Sequence, residues 1–313
     1  TLAALIQLAK RKGIRLVWTI HNLASHERLY PSVEQWLREW VVDQIDGAIA
    51  LSATSAEAAR KRFPRLQHLP LVVIPHGHYI DVYPNRIGRA EARARLGLEP
   101  EHRVMLFVGQ VRRYKNVTHL IECFRHLADP NLRLVVAGLP NDPELAAEVR
   151  AAAALDPRVQ THLTLIPDER IQVFLNAADL VVLPYTEILN SGSALLALSF
   201  RRPILVPERG SMAELRQRFG LPWVMTYEQP LSAETLQCAL RTLETTPADG
   251  NALERRLRQE VGWDKIAAET LANYRSLLDR DPIAVPGAWQ PVPAPVAQDG
   301  ISQPRAAETA SRR

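Results

Sequence analysis

PYTEILNSGSALLALSFRRPILVP, residues 184–207, and FVGQVRRYKN, residues 107–116, decide how this chain is read. The first begins where the apolar run Leu180-Val181-Val182-Leu183 ends and bends through Pro184-Tyr185. It then sets Asn190-Ser191-Gly192-Ser193 directly before the apolar run Ala194-Leu195-Leu196-Ala197-Leu198. That order predicts a strand, a polar turn and a helix start. Free N–H groups and the positive end of the helix dipole make such a turn an anion site, and Ser191, Gly192 and Ser193 are small enough for a phosphate to approach the backbone. The second stretch ends a strand at Gly109 and brings Arg112, Arg113 and Lys115 in front of another helix. Together the two stretches predict a cradle for a diphosphate.

Working outward, helix-period and strand-like segments alternate. In the first part, helix 2–11, strand 14–20, helix 32–42, strand 47–51, a helix capped by Ser52 that ends near residues 63–64, and strand 71–74 follow one another. Residues 81–85 have neither period. Beyond them come helix 89–96, strand 104–108, helix 117–128, strand 133–137, helix 143–154, strand 159–165, helix 168–177 and strand 180–183. The helix from Ser193, strand 204–206, helix 211–218, strand 223–225 and helices 232–244, 251–261 and 263–278 complete the pattern. Short apolar strands between amphipathic helices predict parallel sheets covered on both faces. The expected fold class is α/β with two Rossmann-like domains facing a cleft. They are residues 1–84, an incomplete acceptor-side domain, and 85–262, a donor-binding domain, followed by a helix at 263–280. The Pro/Ala/Ser-rich tail 281–313 is expected to be disordered.

Composition excludes several classes. The chain has 313 residues with 47% hydrophobic and 23% charged content, as in ordinary folded proteins. Its net charge of +4 arises from 38 basic and 34 acidic residues spread along the chain without like-charge runs, so a solvated surface is expected and no nucleic-acid partner. Cys123 and Cys238 each fall in an apolar helical pattern without metal-ligand company, and both are expected in the core. No apolar run of spanning length and no signal-peptide pattern occurs, which predicts a cytoplasmic protein. The chain opens at Thr1 in mid-helix, so a further N-terminal portion is expected. No G-x-G-x-x-G follows a strand and no Walker spacing is present; the dinucleotide and P-loop readings therefore fall.

The residues carry a family resemblance. VWTIHN (17–22), VIPHG (73–77), LFVGQVRRYKNVTHLIECF (106–124), LVVAGLP (134–140), AADLVVLPY (177–185), the stretch 187–203 and WDKIAAETLANY (263–274) resemble GT-B-fold glycosyltransferases of family 4. That group is retaining and uses nucleotide sugars. The resemblance implies that Arg112 and Lys115 neutralise the diphosphate leaving group beside Gly109, with Arg113 as a spare, and that His21 lies near sugar and acceptor. It also implies a saccharide or lipid-linked acceptor in polysaccharide or glycoconjugate synthesis, with peripheral contact at the inner face of the membrane. No cofactor or metal is expected beyond the nucleoside diphosphate sugar as co-substrate. A metal reading of His21 with His26 and Glu27 lacks a third convincing ligand.

Other residues leave alternatives open. His76 and His78 flank Gly77 at a strand end and are either cleft residues or caps of a tight turn. Asn190 to Ser193 are either phosphate-binding or a plain N-cap. The chain departs from the family at the two positions where glutamates are usual. Aligned on Arg202-Pro203, these hold Ile188 and Leu196, so Glu187 is the remaining candidate for the sugar hydroxyls and no carboxylate is available for the ribose. A non-catalytic sugar-nucleotide or glycan-binding module and an epimerase of the same fold remain as competing readings.

Overall fold

The computed structural model describes residues 2–24, 30–228 and 230–280. The first part runs α1 (Leu2–Arg11), β1 (Val17–Ile20), α2 (Pro31–Gln44), β2 (Gly47–Ala50), α3 (Ala53–Arg62) and β3 (Leu71–Val73). Its strands form a parallel sheet in the order β1-β2-β3, with Val17 opposite Gly47 and Ala48 opposite Leu71. Strand β1 starts later than the sequence predicts. Gly13 turns the chain at φ +70°, and the Leu16 N–H bonds the Asp46 carboxylate at 2.8 Å instead of a neighbouring strand. The metal reading at His26 and Glu27 lies outside the described residues, as does the expected disorder of 281–313.

The second part runs α4 (Arg89–Arg95), β4 (Arg103–Val108), α5 (Val117–Arg125), β5 (Leu132–Ala137), α6 (Pro143–Ala154), β6 (Val159–His162) and α7 (Asp168–Ala177). It continues with β7 (Leu180–Val182), α8 (Gly192–Ser199), β8 (Ile204–Pro207), α9 (Met212–Phe219) and β9 (Val224–Tyr227). The helices α10 (Ala233–Thr245), α11 (Gly250–Val261) and α12 (Trp263–Leu278) follow. All ladders in this sheet are parallel, and the order is β6-β5-β4-β7-β8-β9. The chain therefore moves outward from β4 through β5 to β6, then crosses back to lay β7 on the other side of β4. Open sheets of this kind bind ligands beyond the carboxyl ends of the strands where that reversal occurs. Here the reversal falls between β4 and β7, and the loops that leave their carboxyl ends are 109–116 and 183–191.

Central strands explain the strength of the pattern. Val104 to Val108 and Leu180 to Leu183 are all at most 2% exposed, because helices cover both faces, so these strands read as unbroken apolar runs. Two expectations change. Strand β6 stops at His162, where the Thr164 N–H turns back to the His162 carbonyl at 3.0 Å and Leu165 faces solvent. Cys123 is buried and its Sγ donates to the Leu231 carbonyl, but Cys238 is exposed. On α10 the buried positions are Leu236, Ala239 and Leu240, and at helical spacing residue 238 points away from that stripe.

One buried ion ties the layers together. Arg93 on α4 is 2% exposed, and its guanidinium donates to the Asp179 carboxylate at 2.8 Å and to the carbonyls of Ala177 and Pro100. The same carboxylate oxygen accepts the Val104 N–H at the start of β4. Arg89 also pairs with Asp179, at 2.5 Å, so removing Arg93 strands the carbonyls of Ala177 and Pro100 rather than the carboxylate. Arg93→Ala is therefore expected to cost about 2–4 kcal/mol, read as a lower denaturation midpoint in urea.

Candidate active site

Strand β4 delivers Gly109, and the loop after it ends in a 3-10 turn, Arg113–Lys115, that leads into α5. Strand β7 delivers Tyr185 and the turn that starts α8, where Ser191 is the N-cap and accepts the Ala194 N–H at 3.2 Å. The two loops are joined to each other. Thr186 donates its N–H to the Tyr114 carbonyl at 2.8 Å and its hydroxyl to the same oxygen at 3.1 Å. The rings of Tyr114 and Tyr185 meet edge to face, 6.0 Å apart.

At their junction sits Lys115. Its side chain is 8% exposed, its Nζ lies 5.4 Å from the centre of the Tyr185 ring, and among the described residues it has no hydrogen bond or ion pair. Burial, then the neighbouring Arg112 charge, pushes its pKa down from 10.5 to about 8. A side chain added at Gly109 would come within 3.4 Å of both Lys115 Nζ and Ser193 Oγ, so ammonium and hydroxyl flank the same small space. Tyr185 forms its floor. The phenol is buried, its hydroxyl has no partner among the described residues, and burial raises its pKa well above the ordinary range. The hydroxyls of Ser193 and Ser191 are close enough to oppose that rise in part. An unpaired buried cation, orphaned donors and a helix start converge here, and an anion is the species that would satisfy all three.

The other sequence candidates divide. Arg112, half-buried, is next to the cradle and bonds Gln110 Oε1 at 3.0 Å. Arg113 points away from it and is held by Glu148 at 2.9 Å and Glu144 at 3.0 Å. Arg113→Ala is accordingly expected to leave turnover within about twofold, as for surface changes remote from a site, measured beside the wild type in a steady-state assay. Glu187 is exposed on the same loop as Ser191. Leu196 is half-buried on α8, and no carboxylate replaces it. Asn190 turns its amide from the cradle toward the first sheet, where it reaches the His21 carbonyl at 3.1 Å. His21 is exposed at the end of β1 and is brought beside the cradle by that contact.

Among the histidines that follow β3, the open choice resolves residue by residue. His76 Nε2 lies 3.3 Å from the Tyr79 hydroxyl, and a Cβ on Gly192 would meet that hydroxyl at 2.9 Å, so His76 and Tyr79 reach the start of α8. His78 is buried; its Nδ1 accepts the Ile80 N–H and its carbonyl accepts from Trp263 Nε1 at 2.8 Å. Gly77 packs flat on Trp263, where a Cβ would lie 2.5 Å from the ring. Those two hold the linker to α12. Sequence reasoning missed Tyr79, Tyr185 and Thr186. The one available signal was the aromatic residue directly after Pro184 at a strand end, and nothing local marks the partners of Tyr79.

Comparison with known proteins identifies the family. Residues 88–217 match the family described as Glycosyl transferases group 1, and residues 1–95 match Glycosyltransferase Family 4. A GDP-mannose:glycolipid 4-beta-D-mannosyltransferase of Xanthomonas campestris pv. campestris is 31% identical over 286 residues, which cover 89% of this chain and 73% of that protein. An alpha-maltose-1-phosphate synthase of Mycolicibacterium smegmatis is 26% identical over 290 residues, covering 85% of this chain and 74% of the other. Among solved structures, Anabaena HepE in complex with UDP-glucose superposes with a TM-score of 0.72 at 17% identity, over 88% of this chain and 76% of that one. Sucrose-phosphate synthase from Thermosynechococcus elongatus gives 0.69 at 21% identity, over 87% and 70%.

Proposed function

Because the chain belongs to the glycosyl transferases group 1 and is a glycosyltransferase of GT-B fold, we propose that it moves a sugar from a nucleoside diphosphate sugar to an acceptor hydroxyl in polysaccharide or glycoconjugate synthesis. The observation that carries this reading is Lys115, a buried ammonium without a counter-ion beside the N-terminus of α8. As the bond from the sugar to the diphosphate breaks, negative charge grows on the leaving phosphate. Lys115, Arg112 and the N–H groups of residues 191–193 are fixed in advance around that position, and charge stabilisation of this kind is usually the largest single term in catalysis. Glu187 takes the sugar hydroxyls and His21 the reacting side of the cleft between residues 1–84 and 85–262. Fixed cations and a helix start supply the positive charge, so no resident metal or cofactor is part of the proposal.

GDP-mannose and a glycolipid are the first pair to test, since they are what the name of the Xanthomonas relative states. The complex of HepE with UDP-glucose supports a nucleotide-sugar donor in this fold. The acceptor side is placed at the inner face of the membrane, in peripheral contact, because a lipid-linked acceptor would be presented there. No helix among the described residues is long and apolar enough to cross a membrane. Retention is what the family resemblance implied. The 4-beta product in the relative's name favours the opposite outcome if the donor sugar is α-linked, and the usual glutamate positions hold Ile188 and Leu196 here.

The test is a melting-temperature panel of UDP, GDP, ADP and their sugar conjugates on the wild type and on an Arg112→Ala/Lys115→Ala double variant, followed by product analysis. A ligand of the native state raises stability by mass action, by about 2.7 kcal/mol at a hundredfold excess over Kd. We expect one base to raise the wild-type melting temperature and not that of the variant, and the anomeric proton of the product to report the stereochemistry. If no diphosphate shifted the wild type, the donor-site assignment would be wrong.

A further inference from the structure

Two side chains from the second sheet's part of the chain, Asn190 on a loop and Glu214 on α9, reach across to the first sheet, and neither has so far been given a role in transfer. Asn190 donates its Nδ2 to the His21 carbonyl at 3.1 Å and accepts the Ser55 hydroxyl on its Oδ1 at 2.9 Å. Its amide orientation is fixed by that pair, because a carbonyl needs a donor and a hydroxyl can satisfy an acceptor. Glu214, on α9, accepts the N–H groups of Ala53 at 3.1 Å and Thr54 at 2.7 Å, and also the Thr54 hydroxyl. The first turn of α3 is thus capped by a carboxylate from the opposite side of the cleft, where the helix dipole favours it. Leu189, adjacent to Asn190, packs against the first sheet's core with Ile20 and Leu66.

The placement of Asn190 gives these bonds a consequence. It directly precedes Ser191, the N-cap of α8, so the residue that grips His21 and Ser55 is continuous with the backbone of the anion cradle. A shift of the first sheet therefore moves the start of α8, and the reverse. We infer that Asn190 is a positioning residue for transfer: with Glu214 as its companion it latches the His21 loop and the first turn of α3 against the donor cradle. The inference rests on the proposed reading for its effect on transfer, but the latch itself is defined by bonds that are independent of any substrate.

Asn190→Asp keeps the shape and the acceptor for Ser55, removes the donor to His21, and sets a carboxylate against that carbonyl. Ser55→Ala removes the other bond. Each variant is assayed for transfer with a nucleotide sugar, for melting temperature, and for amide hydrogen exchange at Ala53 and Thr54. We expect Asn190→Asp to lower kcat by about 100-fold, the scale of a reacting pair misplaced by one ångström, with donor KM within a few-fold and a small change in melting temperature. Exchange at Ala53 and Thr54 should rise, although neither amide bonds Asn190, and Ser55→Ala should move both readouts the same way by less. A wild-type kcat in Asn190→Asp, or a loss of rate no greater than the loss of folded protein, would overturn the positioning role. If the wild type transferred no sugar from any donor, the proposed function would fall. The exchange readout would still decide the latch, which unchanged protection at Ala53 and Thr54 would refute.

Discussion

Lys115→Met is expected to lower the transfer rate constant by about 100- to 1,000-fold, the range seen when one fixed charge-stabilising group is lost from a reacting centre. The methionine fills a similar volume beneath Gly109 and beside Tyr185, so packing is largely kept while the positive charge goes. The same substitution should raise the melting temperature of the unliganded protein. Lys115 is buried without a carboxylate, and desolvating an unpaired ammonium opposes folding. Lower activity together with higher stability is the signature of a residue retained for chemistry. Steady-state kinetics and thermal melts on one preparation check it, and a variant that lost stability while keeping its rate would show that Lys115 is structural.

The pKa of Lys115 extends that prediction to pH. Its folded value of about 8 is below the ordinary 10.5, the direction set first by burial and then by Arg112. Between those two values the unfolded chain holds a proton that the folded chain has released, so stability from this group rises as pH climbs from 8 to 10.5 and is flat above. An anion in the cradle favours the charged form. Diphosphate affinity should then fall by about tenfold per pH unit above pH 8 while the complex retains its proton, and binding there should take up a proton. Calorimetry in two buffers of different ionisation enthalpy would measure the uptake, and Lys115→Met should abolish it.

How far the sequence carried this site follows from where each contact comes from. The apolar runs at residues 104–108 and 180–183 and the turn at 190–193 are local patterns, and the sheet, the helix start and the basic loop after β4 were legible from them. Arg113 and Cys238 show the limit. Arg113 is diverted by Glu144 and Glu148 on α6, and Cys238 by the exact helical phase of α10; neither follows from neighbouring residues. The pairings of Asn190 with Ser55 and of Glu214 with Thr54 span more than a hundred residues, and nothing local distinguishes such side chains from ordinary surface polar groups. Burial of Lys115 was equally hidden, since it depends on Phe107 and Tyr185 arriving from two different strands.

Gly138→Ala is expected to have the largest effect on folding of any single methyl added to this chain's strand ends. Gly138 follows β5 at φ +149°, a region that side chains disfavour, and its N–H bonds the His162 carbonyl at 3.0 Å. A Cβ there would lie 1.8 Å from the carbonyl oxygen of Gly109, a backbone atom that no rotamer change can remove. Strain of about 1–3 kcal/mol from the dihedral alone adds to the cost of pushing β4 and β5 apart. For a chain of this size each kcal/mol lowers the melting temperature by about 2–4 °C, so a fall of roughly 10 °C or more follows. Gly97→Ala is the control, because φ is +67° there and nothing lies within 4 Å of the added carbon. Its left-handed φ carries a milder strain than that of Gly138, and it lacks the collision. The difference between the two variants therefore reports the close approach of the β4 and β5 ends together with the harsher dihedral at Gly138. That approach also sets where Gly109 sits relative to Lys115 Nζ and Ser193 Oγ, so any folded Gly138→Ala protein should bind diphosphate more weakly than Gly97→Ala. Equal melting temperatures for the two would mean that the strand ends separate easily and that the cradle is not fixed by this contact.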